Sequence, residues 1–337
     1  MNAHVTILTL GCKTNLAESD GLASELESRG FFVSHSLMAG QSSLYVINTC
    51  AVTSMAEAKS RNMVQKITRT NPSAKIILIG CAAQNNLAQF KSQNIIKSFG
   101  TSDKEMILQY LLNYEFPSEI IGEQLEKRTK SYFLKVQDGC DNRCSFCLVS
   151  TLRGKSISRP LDEIITEAQK VTQPEIVITG INLTQFEPGL DILCAEINKI
   201  GKPFRISSLY VDALAPKFID KLGECENLVP NFHLSIQTCS DPVLRSMGRR
   251  YATHNVVDVL KNIRAKWGST RVSADIIVGF PTETDADFAE TKRVLKSLAL
   301  DRLHVFPYSP RPGTPAAGMK QIQSSIITAR AQELKNL

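Results

Sequence analysis

No run of this sequence approaches the length of a membrane span, and the opening residues 1–10 carry no basic segment ahead of their short apolar run. Neither a transmembrane helix nor an export leader is expected, which makes the cytoplasm the expected compartment. A disulfide scaffold is excluded on size, because nine cysteines in 337 residues belong to a chain too large to need covalent stapling. Metal ligation is the stronger use of those thiols. Strong charge is lacking too: the net +6 is mild, yet residues 121–160 hold eight Lys and Arg against four Asp and Glu. A polyanion would approach there, although a solvated face can carry the same surplus. With 43% hydrophobic residues, the chain can bury two cores.

One stretch organises the rest. Val136-Gln-Asp-Gly-Cys-Asp-Asn-Arg-Cys-Ser-Phe-Cys147 follows a strand-like run and sets Cys140, Cys144 and Cys147 at C-x-x-x-C-x-x-C spacing. A structural zinc site takes four ligands, and no fourth Cys or His lies within local reach. Three thiols can instead hold three irons of a cubane cluster and leave the fourth iron open to another ligand.

A second triad is spread along the first hundred residues. Apolar strand patterns at 5–10, 43–48 and 75–80 are separated by helical patterns at 15–29 and 53–70, which argues a doubly wound parallel sheet. Ligands in such folds bind outside the carboxyl ends of the strands. Cys12, Cys50 and Cys81 each come directly after one of these strands, so the topology should bring them to one edge. Burial as small apolar residues accounts for any one of them but not for the shared position.

The first triad resembles the cluster loop of radical SAM enzymes, with Phe146 matching the aromatic that precedes the third cysteine. In that superfamily the open iron chelates S-adenosylmethionine. Leu10-Gly-Cys-Lys-Thr-Asn-Leu-Ala-Glu-Ser19, Asn48-Thr-Cys-Ala-Val-Thr53 and Gly80-Cys-Ala-Ala-Gln84 resemble three blocks of the amino-terminal domain of the methylthiotransferases. Asn48–Thr53 with Lys59-Ser-Arg61 and Asn71-Pro72 is most similar to the branch that acts on threonylcarbamoyl-adenosine in tRNA. The resemblance implies an α/β chain: a flavodoxin-like doubly wound sheet at 1–115, a linker at 116–130, and an open six-stranded partial TIM barrel, the radical SAM core, at 131–337. Strand and helix patterns after 131 also suit such a barrel, being too few to close eight strands.

Roles follow from the resemblance residue by residue. Two 4Fe-4S clusters are implied, one on Cys140, Cys144 and Cys147, the other on Cys12, Cys50 and Cys81. Phe146, Thr179, Gly180 and Gly279 are expected to bind S-adenosylmethionine, and no catalytic side chain beyond the cluster ligands is implied. Arg153, Lys155 and Arg159, in Arg153-Gly-Lys-Ser-Ile-Ser-Arg159, are expected to meet RNA. Lys127, Arg128, Lys130 and Arg143 extend that basic group. Lys59, Arg61, Lys66 and Arg69 offer a second face, read equally as phosphate contacts or as an ordinary exposed helix. Asn15 is expected to cap its helix. The implied reaction adds sulfur and methyl to an adenosine C–H beside the anticodon, with tRNA as partner, flavodoxin or ferredoxin as electron donor, and a monomeric enzyme.

Several positions depart from the pattern. Ser150 replaces a usual Pro, Tyr210-Val-Asp212 a usual Glu-Pro, and Cys239 a usual Gly, while the sequence ends at Leu337 without the small β-barrel RNA-binding domain, called TRAM, expected after the barrel. Cys194 and Cys225 fall in helical patterns and are expected to pack. Another adenosine, a ribosomal-protein aspartate, and a non-catalytic iron–sulfur RNA-binding protein stay open as alternatives.

Overall fold

The computed structural model describes residues 3–37, 42, 44–116, 130–268 and 270–337. Ser43, Lys127, Arg128 and nearly all of the expected linker at 116–130 lie outside the described residues. The chain divides into two compact units, residues 1–135 with 151–154, and residues 136–150 with 155–337. The short return of 151–154 to the first unit has no counterpart in the boundaries expected from sequence.

In the first unit β1 (His4–Thr9), α1 (Lys13–Ser28), β2 (Phe32–Ser34), β3 (Leu44–Thr49), α2 (Ser54–Thr70), β4 (Lys75–Gly80), α3 (Cys81–Asn85), β5 (Ile95–Phe99) and α4 (Lys104–Leu112) follow in order. The strands lie parallel in the order β2-β1-β3-β4-β5. Central strands covered on both faces must be apolar at successive positions, which explains why β3 is buried from end to end. Val5, Ile7, Val46, Ile77 and Ile79 pack with Leu26, Ile107 and Leu111 on one face. Leu8, Tyr45, Ile47, Ile76 and Leu78 pack with Val64 and Ile67 on the other. Strands β2 and β5, each short and at a sheet edge, are additions to the sequence reading. The last strand counted with this unit is β6 (Ser131–Lys135).

The second unit opens where the Val136 N–H donates to the Thr179 carbonyl, 2.9 Å away. A two-residue pairing of β7 (Gln137–Asp138) with β8 (Ile157–Ser158) brackets the cysteine loop and α5 (Val149–Arg153). Then come α6 (Leu161–Lys170), β9 (Glu175–Thr179), α7 (Leu190–Asn198), β10 (Phe204–Ile206), α8 (Pro216–Leu222), β11 (Asn231–Gln237), α9 (Asp241–Met247), α10 (Thr253–Trp267), β12 (Arg271–Val278), α11 (Asp285–Leu298), β13 (Arg302–Pro307) and α12 (Ser324–Lys335). Strand β9 pairs with β10, β11 with β12, and β12 with β13, all parallel. A bridge from Leu209 to Leu234 joins the two sets. Along β12 burial alternates, so Val272, Ala274, Ile276 and Val278 are covered while Ser273, Asp275 and Ile277 share the opposite face. Cys194 is buried within α7, in line with packing, and Cys225 is buried too but lies in the turn after α8 rather than in a helix.

Candidate metal centres

The order β2-β1-β3-β4-β5 reverses direction between β1 and β3, the switch point where doubly wound sheets open a crevice. Cys12 and Cys50 follow those two strands and Cys81 follows β4, the neighbour of β3. Parallel registers pair Thr9 with Asn48 and Thr49 with Gly80, so the three strands end level. The loops are then laced together. Asn15 donates from Nδ2 to the carbonyls of Leu10 (2.9 Å) and Thr49 (3.0 Å), which carry Cys12 and Cys50. It therefore does not cap α1; the N-cap is Cys12, which makes no capping bond and whose thiol instead donates to Asn15 Oδ1 at 3.6 Å. Asn48 reaches back to the Asn15 carbonyl at 2.9 Å, and Thr49 Oγ1 donates to the Ile79 carbonyl at 2.7 Å. Gly11, at φ +101°, has no room for a side chain because the Cys50 sulfur occupies it.

Burial pushes the Cys50 thiol up to about 12, and Cys12 and Cys81 are close enough to raise it further. Burial also raises Cys81, where Arg153 opposes the shift by charge and by a hydrogen bond. Burial thus keeps Cys50 and Cys81 as neutral, unbridged thiols that a metal would have to deprotonate. Among the described residues no three His, Cys, Asp or Glu side chains are grouped as the ligands of a single ion would be. In a cubane each thiolate meets its own iron, so the three sulfurs do not converge on one point. The mutual proximity, the glycine cradle and, among the described residues, the lack of a three-ligand group for one ion fit a cluster better than a mononuclear site.

The second centre is built around Gln137, whose buried amide donates to the Gly139 carbonyl and Ser156 Oγ at 2.8 Å. Its Oε1 accepts from the N–H groups of Ile181 (3.0 Å) and Asn182 (2.9 Å), so one side chain joins the start of the cysteine loop to the turn after β9. Asn182 Nδ2 lies 3.5 Å from the Cys140 sulfur, and the Val149 N–H donates to the Cys147 sulfur at 3.4 Å. Ser145 pins the loop to α9 through the carbonyls of Met247 (3.0 Å) and Ser246 (2.8 Å). Burial raises Cys144 and pushes Cys147 up to about 11. Phe146 stacks edge to face with Phe280 at 6.5 Å, on a core that also includes Ile277 and Tyr308.

Arg249, which the sequence reading passed over, stands beside this loop. Its guanidinium lies 4.7 Å from the Tyr210 ring and 5.7 Å from that of Phe146. Its Nε and Nη1 are buried and have no hydrogen-bond partner among the described residues. They border a cavity of about 190 Å³ lined also by Arg143, Tyr210, Asp212 and Tyr251. A buried cation with idle donors asks for an anion. The only advance signal was the Arg249-Arg250 pair just after a glycine-ended helix.

Thr179 and Gly180 lie where β9 meets the turn held by Gln137. The Thr179 carbonyl already accepts from Val136, and a side chain at Gly180 would meet Leu183 and Gln137. Gly279 sits at φ +76° against Ile327 of α12, whose Cγ1 would lie 2.4 Å from a Cβ there. Lys155 and Arg143 are exposed, whereas Arg159 pairs with Glu167 at 2.7 Å. Arg153, expected on the RNA-facing surface, has a side chain only 1% exposed because it is drawn into the first unit. Lys59, Lys66 and Arg69 are exposed on α2, and Arg61 bonds Gln89.

Residues 134–295 match the radical SAM superfamily, and residues 4–100 match an uncharacterized protein family, UPF0004. The chain is 35% identical to the threonylcarbamoyladenosine tRNA methylthiotransferase MtaB of Thermotoga maritima, over 94% of this chain and 77% of that one. The corresponding Aquifex aeolicus protein is 33% identical over 99% and 87%. A tRNA-2-methylthio-N(6)-dimethylallyladenosine synthase of Bifidobacterium adolescentis is 31% identical over 97% and 74%. Among solved structures, the radical S-adenosylmethionine methyltransferase TsrM of Kitasatospora setae superposes with a TM-score of 0.68 at 13% identity, over 94% of this chain and 75% of that one, and shares its fold.

Proposed function

Because the chain belongs to the radical SAM methylthiotransferases that act on tRNA, we propose that it places a methylthio group on C2 of threonylcarbamoyl-adenosine beside the anticodon, at position thirty-seven. The observation that carries this reading is the level alignment of Cys12, Cys50 and Cys81 at the ends of three neighbouring strands, in addition to the Cys140 loop. A single centre would leave the exposed Cys12 and the buried Cys50 and Cys81 without a use.

In this reading Cys140, Cys144 and Cys147 hold one 4Fe-4S cluster, and Cys12, Cys50 and Cys81 hold the other. When bound, the clusters and S-adenosylmethionine supply radical cleavage of an unactivated C–H bond, which no protein base could deprotonate, and the sulfur that replaces the hydrogen. The chain's own residues bind and orient. Asn182 and the Val149 N–H fix two of the sulfurs, and Gln137 fixes the loop that carries them. Arg249 offers its idle donors to an anion such as the carboxylate of S-adenosylmethionine. Phe146, packed on Phe280, keeps water from the loop.

Identity alone does not separate the nucleosides, since relatives named for threonylcarbamoyladenosine and for dimethylallyladenosine stand at similar levels. The finer assignment rests on Asn48–Thr53, Lys59-Ser-Arg61 and Asn71-Pro72. Local duties account for part of that pattern, because Thr53 caps α2 by accepting from the Ala56 N–H at 3.1 Å. A flavodoxin or ferredoxin supplies electrons, and the enzyme works as a cytoplasmic monomer. Mass spectrometry of tRNA nucleosides from a deletion strain tests the assignment. Loss of the methylthio form of threonylcarbamoyl-adenosine is expected; its persistence, with loss of the dimethylallyl counterpart instead, would overturn it.

A further inference from the structure

Arg153 comes six residues after Cys147 in sequence order, yet its side chain belongs to the thiol site of the first unit. The backbone around it is clamped there: the Leu152 carbonyl accepts from Gln84 Nε2 at 2.8 Å and from Thr101 Oγ1 at 2.6 Å. The guanidinium then spreads over several acceptors. Nη1 meets Glu18 Oε1 at 2.8 Å, while Nη2 meets Asn15 Oδ1 at 2.9 Å and Glu18 Oε2 at 3.2 Å. The guanidinium is also close enough to Cys81 to oppose, by its charge and by hydrogen bonding, the effect of burial on that thiol. Asn15 is the same residue that ties the Cys12 and Cys50 loops together.

We propose that Arg153 is a positioning residue of the amino-terminal cluster, holding Cys81 in place and offsetting the negative charge of the three thiolates. This rests on the two-cluster reading above. Lys135 also pairs with Glu18, so the carboxylate that Arg153 meets is shared with a second cation. A buried Arg–Glu pair by itself gains little, because desolvation consumes most of the attraction. A metal-bound sulfur beside it changes that balance, since the guanidinium then faces a second anion. Arginine suits the position because a planar fork reaches a carboxylate, an amide oxygen and a sulfur together, which an ammonium group cannot. A role in gripping phosphate is incompatible with a side chain 1% exposed.

The test uses full-length protein in which Cys140, Cys144 and Cys147 are Ala, so that only the amino-terminal cluster can load. Arg153→Met and Arg153→Lys are compared with the parent by iron content, electron paramagnetic resonance and redox titration. Reduction adds negative charge, so a nearby cation favours the reduced cluster. Arg153→Met should lower the reduced-to-oxidised ratio at fixed potential about tenfold, equivalent to about 59 mV for one electron. Arg153→Lys, which keeps the charge, should shift it by much less. Iron loss in the Met variant alone, with the metal-free fold unchanged by circular dichroism, would equally support the proposal. An unshifted potential in a fully loaded Met variant would overturn it, as would equal iron loss in both variants with a lowered melting temperature. If the parent with Arg153 intact takes up no iron, the two-cluster reading itself fails and the proposal falls with it.

Discussion

Gly11 and Cys50 are packed so closely that a side chain at Gly11 would put its Cβ 2.5 Å from the Cys50 Cβ and 2.7 Å from the sulfur. The glycine also sits at φ +101°, a conformation that L side chains avoid. Gly11→Ala should therefore destabilise the first unit by roughly 1–3 kcal/mol. It should also lose the iron of the amino-terminal centre while cleavage of S-adenosylmethionine continues. Iron analysis after anaerobic reconstitution checks this, and full iron in the variant would mean that the cradle is not tight.

Thiol reactivity reports the same packing without any metal. Cys12 is exposed, whereas burial pushes Cys50 up to about 12 and Cys147 up to about 11. Brief treatment of the metal-free protein with iodoacetamide at pH 8, mapped by mass spectrometry, should label Cys12 well before Cys50 and Cys147, because the thiolate is the nucleophile. The linkage has a definite sign. In the unfolded chain these thiols ionise in their ordinary range, before the folded ones do, so the metal-free fold should lose stability as pH rises from about 8.5 toward 12. Thermal melts that stay level across that window would contradict the burial of both sulfurs.

Arg249 offers the sharpest test of the second centre. If its idle donors hold the carboxylate of S-adenosylmethionine, Arg249→Met should weaken binding by roughly 10- to 150-fold, the equivalent of about 1.5–3 kcal/mol for a hydrogen bond to a charged group. Lysine should rescue little, since the buried position between Tyr210 and Phe146 suits a flat guanidinium. Equilibrium dialysis with the cofactor decides it; unchanged affinity would assign Arg249 to packing alone.

RNA affinity should depend on the exposed lysines rather than on Arg153. If about five phosphates are neutralised, the log–log salt slope should be roughly −3.5 to −4.5. Changing Lys59 and Lys66, both exposed on α2, to Ala should flatten it by about one to two. Arg153→Met should leave the slope where it is, because its side chain is covered. A slope that flattens with Arg153→Met and not with the lysines would reverse this assignment.

The sequence by itself determined what local spacing and period can encode. Cys140, Cys144 and Cys147 are near neighbours along the chain, and alternating apolar strands with helices already placed Cys12, Cys50 and Cys81 after strand ends. Parallel pairing then had to bring those ends together, because strands of one doubly wound sheet share a direction. Tertiary structure decided the polar partners. Arg153 and Asn15 stand 138 residues apart, and nothing in either local pattern marks an arginine as buried until an acceptor from another part of the chain meets it. Gly279 shows the same limit from the opposite side: its positive φ is written in the sequence as a glycine, but what fills the space beside it, Ile327, comes from a helix 48 residues later. Asn15 carries the same side chain a helix cap would need, and only the approach of the β1 and β3 loops turned it into the bond that holds two cysteines in place.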